Sequence, residues 1–401
     1  MKSKFKKLIS KFVEGLLMIS STVTTLTVLL IVLYLFKESL GLFSMTPIED
    51  NFSLLVNKNN PVKELTAKQI KNIFDQEITN WKEVGGNDQE IELFRIEDIS
   101  SYYSDEEIGA NFEHLAEKIN EHVAKTPAIV AFIANKYELK NANSAPVEVD
   151  KIELLQLMKD KEWFPTAQPA AQFGILPLLI GTLLVSFGAI LLALPFGLAS
   201  AIYLAEIADI RFRNIAKPLI ELLAGIPSVV YGFFGLVVIV PLVQSTFNLP
   251  VGETALAGSI VLGIMALPTI ITVSEDAIRN TPRSMKEASL ALGANKWQTI
   301  LRVVIPYSIS GISTAAILGI GRAIGETMAV LMVTGNAAVI PHTFLQPVRT
   351  IPATIAAELG EAPFGGLHFK ALFLLGSILF VITMLINFAV EWISPEKRRE
   401  R

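Results

Sequence analysis

An arginine and a glutamate, Arg322 and Glu326, stand four residues apart inside the apolar run from Ile305 to Val333. A charge at the centre of a membrane costs at least about 2.5–3.5 kcal/mol, so charges placed there usually serve a function. On one helix this spacing puts both side chains on the same face, where they can form an ion pair. The planar guanidinium can also donate two hydrogen bonds to a tetrahedral oxyanion. The pair therefore predicts a path for an anion, with a structural ion pair between helices as the alternative.

A second candidate site lies between two apolar runs, in the segment from Glu287 to Pro306. Ala288, Ala291 and Ala294 recur at every third position and give a helix a smooth face that another surface can approach closely. Gly293 interrupts this pattern and predicts a tight turn after a short helix. The segment therefore predicts a docking surface, and an ordinary interfacial helix is the alternative.

Membrane-spanning helices must position both sites. The chain has 401 residues, of which 51% are hydrophobic and 18% charged, and its mean hydropathy is +0.49. Apolar runs of about 20 residues can cross the bilayer, and in lipid they must be helical to satisfy their backbone groups. Six such runs predict six transmembrane helices, at about 16–36, 175–204, 219–243, 255–273, 305–333 and 371–392.

The basic residues cluster at both termini and in the alternate loops 205–218 and 274–304, whereas loop 244–254 has none. The positive-inside rule then places these basic parts in the cytoplasm and residues 37–174 outside. This gives a chain of five parts: a cytoplasmic N-terminus (1–15), a first span (16–36), an external insertion (37–174), a five-helix core (175–392) with the loop 274–304, and a cytoplasmic tail (393–401).

The external insertion is too long for a simple connection and should have its own core. Between Met45 and Pro165 it carries 23 acidic and 13 basic residues. Its pattern predicts an α/β domain with strands at 52–56 and 91–95, a turn at Gly85-Gly86, and helices at 65–74, 111–123 and 151–159.

Several kinds of chemistry are excluded by composition. The chain has no cysteine, and none of its four histidines are spaced as a helical zinc motif. It lacks a Gly-x4-Gly-Lys-Ser/Thr phosphate loop, so any ATP hydrolysis must occur on a partner chain. We expect no metal, no cofactor, no nucleic-acid partner and no covalent catalysis. His114 and His122 lie eight residues apart on a predicted surface helix, where we expect them to be solvated.

The segment from Glu287 to Pro306 resembles the EAA signature of ABC importer permeases. Glu287, Ala288 and Gly293 match that signature, and Ser289 stands in place of its second alanine. In that family the motif forms a coupling helix that sits in a cleft of the ATPase subunit. The resemblance implies that the contact with the ATPase is made around four residues: Glu287, Ala288, Gly293 and Ala294.

The run from Gly321 to Asn336 resembles the C-type permease family of bacterial Pst phosphate transporters, as do Phe173–Thr182 and Glu221–Gly232. The resemblance extends from about Trp163 to Trp392. It implies an α-helical integral membrane protein with the type I ABC importer permease fold and an α/β extracytoplasmic insertion between helices one and two. It also implies that phosphate is moved inward, with an A-type permease as heterodimer partner, two ATP-binding subunits and an extracytoplasmic phosphate-binding protein.

The insertion itself resembles periplasmic phosphate-binding proteins over Val56–Val62 and Ile78–Gly86. Those proteins continue from a strand into Arg-x-x-Gly-Ser-Gly-Thr, whose backbone and hydroxyl donors hold phosphate. Here Arg95 is followed by Ile-Glu-Asp-Ile-Ser-Ser, which lacks the glycines and adds two carboxylates. We therefore expect the insertion to serve docking or spacing and not to bind phosphate.

Two other functions remain open. The first is a permease for a different oxyanion, molybdate or sulfate. The second is a membrane-anchored phosphate sensor that transports nothing; the docking segment argues against it, whereas the altered external domain leaves room for a regulatory role.

Overall fold

The computed structural model describes residues 2–48, 51–109, 112–137 and 143–393. The predicted tail 393–401 therefore lies, apart from its first residue, outside the described residues. The chain divides into two compact units. The N-terminal unit consists of Met1–Met158, Trp163–Gly174 and Pro363–Leu374, and the helical unit consists of Lys159–Glu162, Ile175–Ala362 and Leu375–Arg401.

The N-terminal unit begins with one long helix, α1 (Lys2–Leu40), which ends in a 3-10 turn at Gly41–Ser44. The stretch Ser10–Ser44 is apolar and long enough to cross a membrane, and its most apolar window has no residue buried within the chain. The residues predicted as the first span thus lie within one continuous helix, and the side chains of its most apolar window are left to contact lipid or another subunit.

Short strands and helices alternate in the remainder of this unit, as predicted for an α/β domain. The strands are β1 (Phe52–Asn57), β2 (Glu64–Leu65), β3 (Glu92–Arg95), β4 (Ile129–Ala134), β5 (Ser144–Pro146), β6 (Glu148–Val149), β7 (Trp163–Phe164) and β8 (Gln172–Phe173). The helices are α2 (Ala67–Phe74), α3 (Ile99–Tyr102), α4 (Asp105–Ile108), α5 (Leu115–Lys125) and α6 (Leu154–Lys159).

The main sheet has the strand order β3-β4-β1-β5. Strand β1 runs antiparallel to β4 and β5, with Leu54 opposite Phe132, and β3 runs parallel to β4. Neighbouring residues of β1 face opposite sides, so Val56 packs with Ile73 of α2 whereas Leu55 packs with Ile119 of α5. Both faces of the sheet are thus covered by apolar side chains.

The structure corrects three predicted boundaries. The predicted helix 65–74 begins at Ala67, because Leu65 pairs with Val149 and Thr66 caps the helix by accepting a hydrogen bond from the Gln69 amide at 3.2 Å. The predicted helix 151–159 begins only at Leu154. The predicted helix 111–123 runs from Leu115 to Lys125, and residue 111 lies outside the described part.

The helical unit is built from helices α7 to α16 and from α17 after Leu374. They are α7 (Leu176–Ile202), α8 (Ile210–Ala224), α9 (Ser228–Phe234), α10 (Val240–Phe247), α11 (Ala255–Arg279), α12 (Arg283–Ala291), α13 (Lys296–Thr299), α14 (Ile305–Gly325), α15 (Met328–Val333), α16 (Ile351–Glu358) and α17 (Leu367–Ile393). Wider π-helical turns extend α7 and join α9 to α10 and α13 to α14, at Tyr203–Ile207, Gly235–Ile239 and Ile300–Val304.

Six helical stretches in the described residues are long and apolar enough to cross a membrane, which confirms the predicted number. They are Ser10–Ser44, Leu176–Ile207, Ser228–Phe247, Ala255–Arg279, Lys296–Gly325 and Leu367–Val390. At the centre of the helical unit α7 packs closely on α11, where a Cβ on Gly188 would overlap the hydroxyl of Ser259. Buried Val185, Val261 and Met265 fill the core around this crossing.

The predicted third span, 219–243, is wrong at its beginning. Helix α8 ends at Ala224, and the chain restarts as α9 only at Ser228. Pro227 explains the break, because it donates no backbone hydrogen bond and disfavours helical geometry at Ile226. Residues 219–224 therefore finish α8, and the candidate span consists of Ser228–Phe247.

The predicted fifth span, 305–333, is also interrupted. Helix α14 ends at Gly325, and Glu326 has extended backbone angles of φ −72° and ψ 132°. A short helix, α15, then begins at Met328. Arg322 and Glu326 consequently lie on opposite sides of a helix end and do not share one helical face.

Candidate functional site

Arg322 lies in the last turn of α14 and is half-buried. Its Nη1 is 3.4 Å from Oγ1 of Thr269 on the neighbouring helix α11. In the described part of the chain no carboxylate lies within ion-pair distance of this guanidinium. Most of its donors are therefore left for a ligand or for another chain.

Glu326 is occupied by a different contact. Its Oε1 accepts a hydrogen bond from the backbone N–H of Ala329 at 3.3 Å, so the carboxylate caps the beginning of α15. The prediction that Arg322 and Glu326 pair on one helix face is wrong, because the helix ends between them. The alternative, a purely structural ion pair between Arg322 and Glu326, is not supported either, because the two side chains do not form this contact.

The interruption itself has a physical meaning in an apolar segment. Non-helical backbone at membrane depth is tolerated only where protein buries it or where it lines a water-filled cavity. A Cβ added to Gly321 or Gly325 would meet no atom of this chain within 4 Å. The surface of α14 beside Arg322 is therefore open in this chain, which suits a cavity or a close approach by a partner helix.

The predicted docking segment forms an exposed helix and turn. Glu287 and Ala288 lie exposed on α12, Gly293 is exposed just after it, and Ala294 is half-buried. Gly293 has a φ of +87°, the left-handed conformation that glycine adopts without strain, so it ends the helix as predicted. Leu292 beside it is 90% exposed. The four predicted residues thus lie together on one short surface element.

A cluster of charges at the C-terminal end of α11 was missed by the sequence analysis. The Nζ of Lys217 on α8 lies 2.6 Å from Glu275 and 2.7 Å from Asp276, and Arg279 approaches Glu275 to 3.3 Å. Glu275 is almost fully buried. The cluster was missed because residues 274–279 were predicted as part of a loop. In the structure α11 continues as a helix to Arg279 and carries both Glu275 and Asp276.

The altered anion loop of the N-terminal unit is filled by its own carboxylate. Asp98 Oδ2 accepts a hydrogen bond from the backbone N–H of Arg95 at 2.9 Å, within the 3-10 turn Ile96–Asp98. The Arg95 guanidinium lies over the ring of Phe74, 5.5 Å from its centroid. A donor at the start of this loop is thus already satisfied by an internal anion.

The two histidines of this unit differ from one another. The side chain of His114 is 56% exposed, whereas that of His122 is only 12% exposed and packs on Tyr102 with ring centroids 4.2 Å apart. The expectation that both are solvated is wrong for His122. Burial lowers the pKa of His122, and the nearby carboxylate of Glu92 partly opposes that shift. Among the described residues no group of histidines and carboxylates forms a metal site.

Two family models match the chain. Residues 193–399 match the binding-protein-dependent transport system inner membrane component. Residues 48–179 match a domain of the PBP superfamily. The first match includes α14, the helix break and the docking segment, and the second includes the sheet of the N-terminal unit.

Curated relatives match more than half of the chain. A probable ABC transporter permease protein, YqgH of Bacillus subtilis, is 37% identical over 250 residues, which are 62% of this chain and 81% of that protein. The phosphate transport system permease protein PstC of Mesorhizobium japonicum is 39% identical over 248 residues, which are 57% of this chain and 75% of that protein.

Solved structures give weaker likenesses. A chain of the inward-facing MetNI methionine ABC transporter aligns with a TM-score of 0.41 at 20% identity, covering 55% of this chain and 92% of that chain. A putative phosphate ABC transporter substrate-binding protein from Clostridium perfringens aligns with a TM-score of 0.20 at 30% identity, covering 27% of this chain and 49% of that chain.

Proposed function

The chain belongs to the family of binding-protein-dependent transport inner membrane components, and we propose that it conducts inorganic phosphate into the cytoplasm as the permease subunit of an ABC importer. It is a multi-pass protein of the cytoplasmic membrane with the type I importer permease fold. The family model matches residues 193–399, which contain the docking segment and the helix break. Relatives that match 56–57% of this chain at 36–39% identity carry the name phosphate transport system permease protein.

The observation that carries the proposal is the half-buried Arg322 at the end of α14, which has no carboxylate partner in the described part of the chain. Such a guanidinium is preorganised to donate hydrogen bonds to a passing anion, since it need not leave an ion pair first. The hydroxyl of Thr269, 3.4 Å from Arg322, supplies a further donor at the same place. Inorganic phosphate offers several charged acceptor oxygens to these donors.

Glu326 serves a complementary role in this proposal. Its carboxylate is held at the beginning of α15, next to the end of the helix that carries Arg322. A fixed negative charge beside the binding arginine weakens the hold on the anion, and transport requires binding that is weak enough for release. Movement of α14 relative to α15 at this break would change the distance between the two charges and hence the affinity for phosphate.

The proposal requires partner chains. We propose that two ATP-binding subunits hydrolyse ATP, one of them docked at Glu287, Ala288, Gly293 and Ala294, and that an extracytoplasmic phosphate-binding protein delivers the cargo. An A-type permease would complete the path, and the open face at Gly321 and Gly325 suits its close approach. This chain then performs no covalent chemistry, and the segment 37–174 lies outside the membrane.

Uptake by the purified complex tests the function directly. We expect vesicles that contain the complex, its binding protein and ATP on the ATPase side to accumulate labelled phosphate, and vesicles without ATP not to do so. Unlabelled sulfate or molybdate at the same concentration should not compete. Preferential transport of either of these ions would favour the other-oxyanion function, and no ATP-dependent transport of any oxyanion would favour the sensor.

The N-terminal unit should not bind phosphate by itself. Asp98 already accepts the backbone hydrogen bond at the altered loop, so an anion there would meet a like charge. The fragment 45–174 should be used for this test. The Ala171 amide donates a hydrogen bond to the carbonyl of Pro47, and the Gln172 side chain donates one to the carbonyl of Ala67. A fragment that ends before residue 171 would lose both hydrogen bonds. Calorimetry with phosphate should show no heat of binding, with circular dichroism as the control for folding. Micromolar affinity would contradict this prediction.

A further inference from the structure

Two polar side chains of helix α12 form hydrogen bonds to other helices of the helical unit. None of its nine residues is buried, and only Lys286 and Ser289 are half-buried. These two positions are three residues apart and therefore lie on the same face of the helix. The opposite face, with Glu287 and Ala288, is exposed.

Each of the two side chains reaches the end of a different membrane helix. The Nζ of Lys286 lies 2.5 Å from Oε1 of Glu206, in the π-helical turn that extends α7. Ser289 Oγ lies 3.0 Å from Oγ1 of Thr299, where α13 leads through a second π-helical turn into α14. One short helix is thus attached to α7 and to α14, the helix that carries Arg322.

The ion pair is the stronger of the two attachments. The side chains of Lys286 and Glu206 are only 21% and 12% exposed, so salt screens their attraction less than that of a surface pair. The turn that holds Glu206 is itself fixed, because Arg213 donates hydrogen bonds to the carbonyl oxygens of Leu204 and Ala205 at 2.6 and 2.9 Å. A displacement of Lys286 would therefore be transmitted through Glu206 to the end of α7, which Arg213 holds in place.

We propose that the Lys286–Glu206 ion pair transmits the movement of α12 to α7, and so couples ATP hydrolysis to opening of the transport path. Lys286 and Glu206 are positioning residues in this scheme, since neither touches ATP or phosphate. The inference rests on the proposed function, because α12 moves only if the ATPase docks on it. The ion pairs of Lys217, Glu275 and Asp276 join α8 to α11 and include no residue of α12, so they form an attachment separate from the one proposed here.

The test measures phosphate transported per ATP hydrolysed, using the complete complex in vesicles. Lys286→Met and Glu206→Gln should each lower this ratio roughly tenfold, within the range of ordinary coupling energies, while ATP hydrolysis continues. The charge reversal, Glu206→Lys with Lys286→Glu, should restore the ratio to within about twofold by rebuilding an ion pair of opposite direction. Arg211→Gln, which removes an exposed charge from α8, should leave the ratio unchanged.

The outcomes separate this inference from the proposed function. If the native complex transports no phosphate, the proposed function fails before any variant is compared. If the native complex transports phosphate and both single variants keep the native ratio, only the ion-pair coupling is wrong. Lower recovery of the complex with a native ratio would show that the pair merely holds the fold together, and it would also overturn the inference. A reversed pair that assembles but remains uncoupled would do the same.

Discussion

Arg322→Gln is expected to lower phosphate uptake by the reconstituted complex about 100-fold or more, while the complex still assembles. Each hydrogen bond to a charged group contributes about 1.5–3 kcal/mol, and a guanidinium can donate two to one anion. About 1.4 kcal/mol corresponds to a factor of ten, so two lost bonds account for this loss. Assembly should survive because no carboxylate of the described chain pairs with Arg322 and none is left unpaired by the change.

Matched variants distinguish charge, geometry and folding. Arg322→Lys keeps the charge and loses the planar fork, so it should recover only part of the uptake. Arg211→Gln removes the same charge from an exposed position of α8 and should transport normally. Recovery of each complex from the membrane is measured beside uptake.

The double variant Arg322→Gln with Glu326→Gln addresses the structural alternative. If the two residues served only as an ion pair, removing both charges would leave no lone charge, and uptake should return. If Arg322 contacts phosphate, the double variant should remain as inactive as Arg322→Gln. Near-normal uptake in the double variant would therefore defeat the pathway role of Arg322.

Much of the fold could be predicted because its causes are local. Apolar runs of about 20 residues indicate the spans, the short apolar segment Phe52–Val56 indicates β1, and the helical spacing of Ile70, Ile73 and Phe74 indicates α2. The two breaks could not be recognised from hydropathy, since residues 225–227 and 326–327 are short interruptions within segments that remain apolar on average. Pro227 offered a signal for the first break.

The contacts of the site depended on information that spacing does not contain. The i,i+4 rule assumes a continuous helix, and it failed for Arg322 because the Glu326 carboxylate satisfies the N-terminus of a new helix instead. The ion pair between Glu206 and Lys286 joins residues 80 positions apart, in segments that were both predicted as loops or span ends. Only the packing of the end of α7 against α12 brings them together. Exposure of the docking segment, by contrast, followed from its polar and small residues.

Leu292→Asp is expected to reduce the recovery of ATPase subunits with the membrane complex by at least about tenfold. Leu292 follows α12 and is 90% exposed, and Trp297 nearby is 59% exposed, so apolar surface is presented where the ATPase should dock. Burying a leucine side chain contributes about 1.5–3 kcal/mol, and a carboxylate in its place would also have to be desolvated. Pull-down through a tagged ATPase subunit measures the loss.

The result of Leu292→Asp is easier to interpret than that of a substitution at Gly293. With a φ of +87°, Gly293 would be strained by any larger side chain, so a loss of docking there could come from a distorted turn instead of a blocked surface. Leu292 has an ordinary backbone conformation at the end of α12, with φ −79° and ψ 5°. Leu155→Asp is the matched control, because Leu155 is 65% exposed on α6 of the N-terminal unit. If Leu292→Asp and Leu155→Asp both retain the ATPase and transport phosphate normally, the docking surface lies elsewhere on this chain.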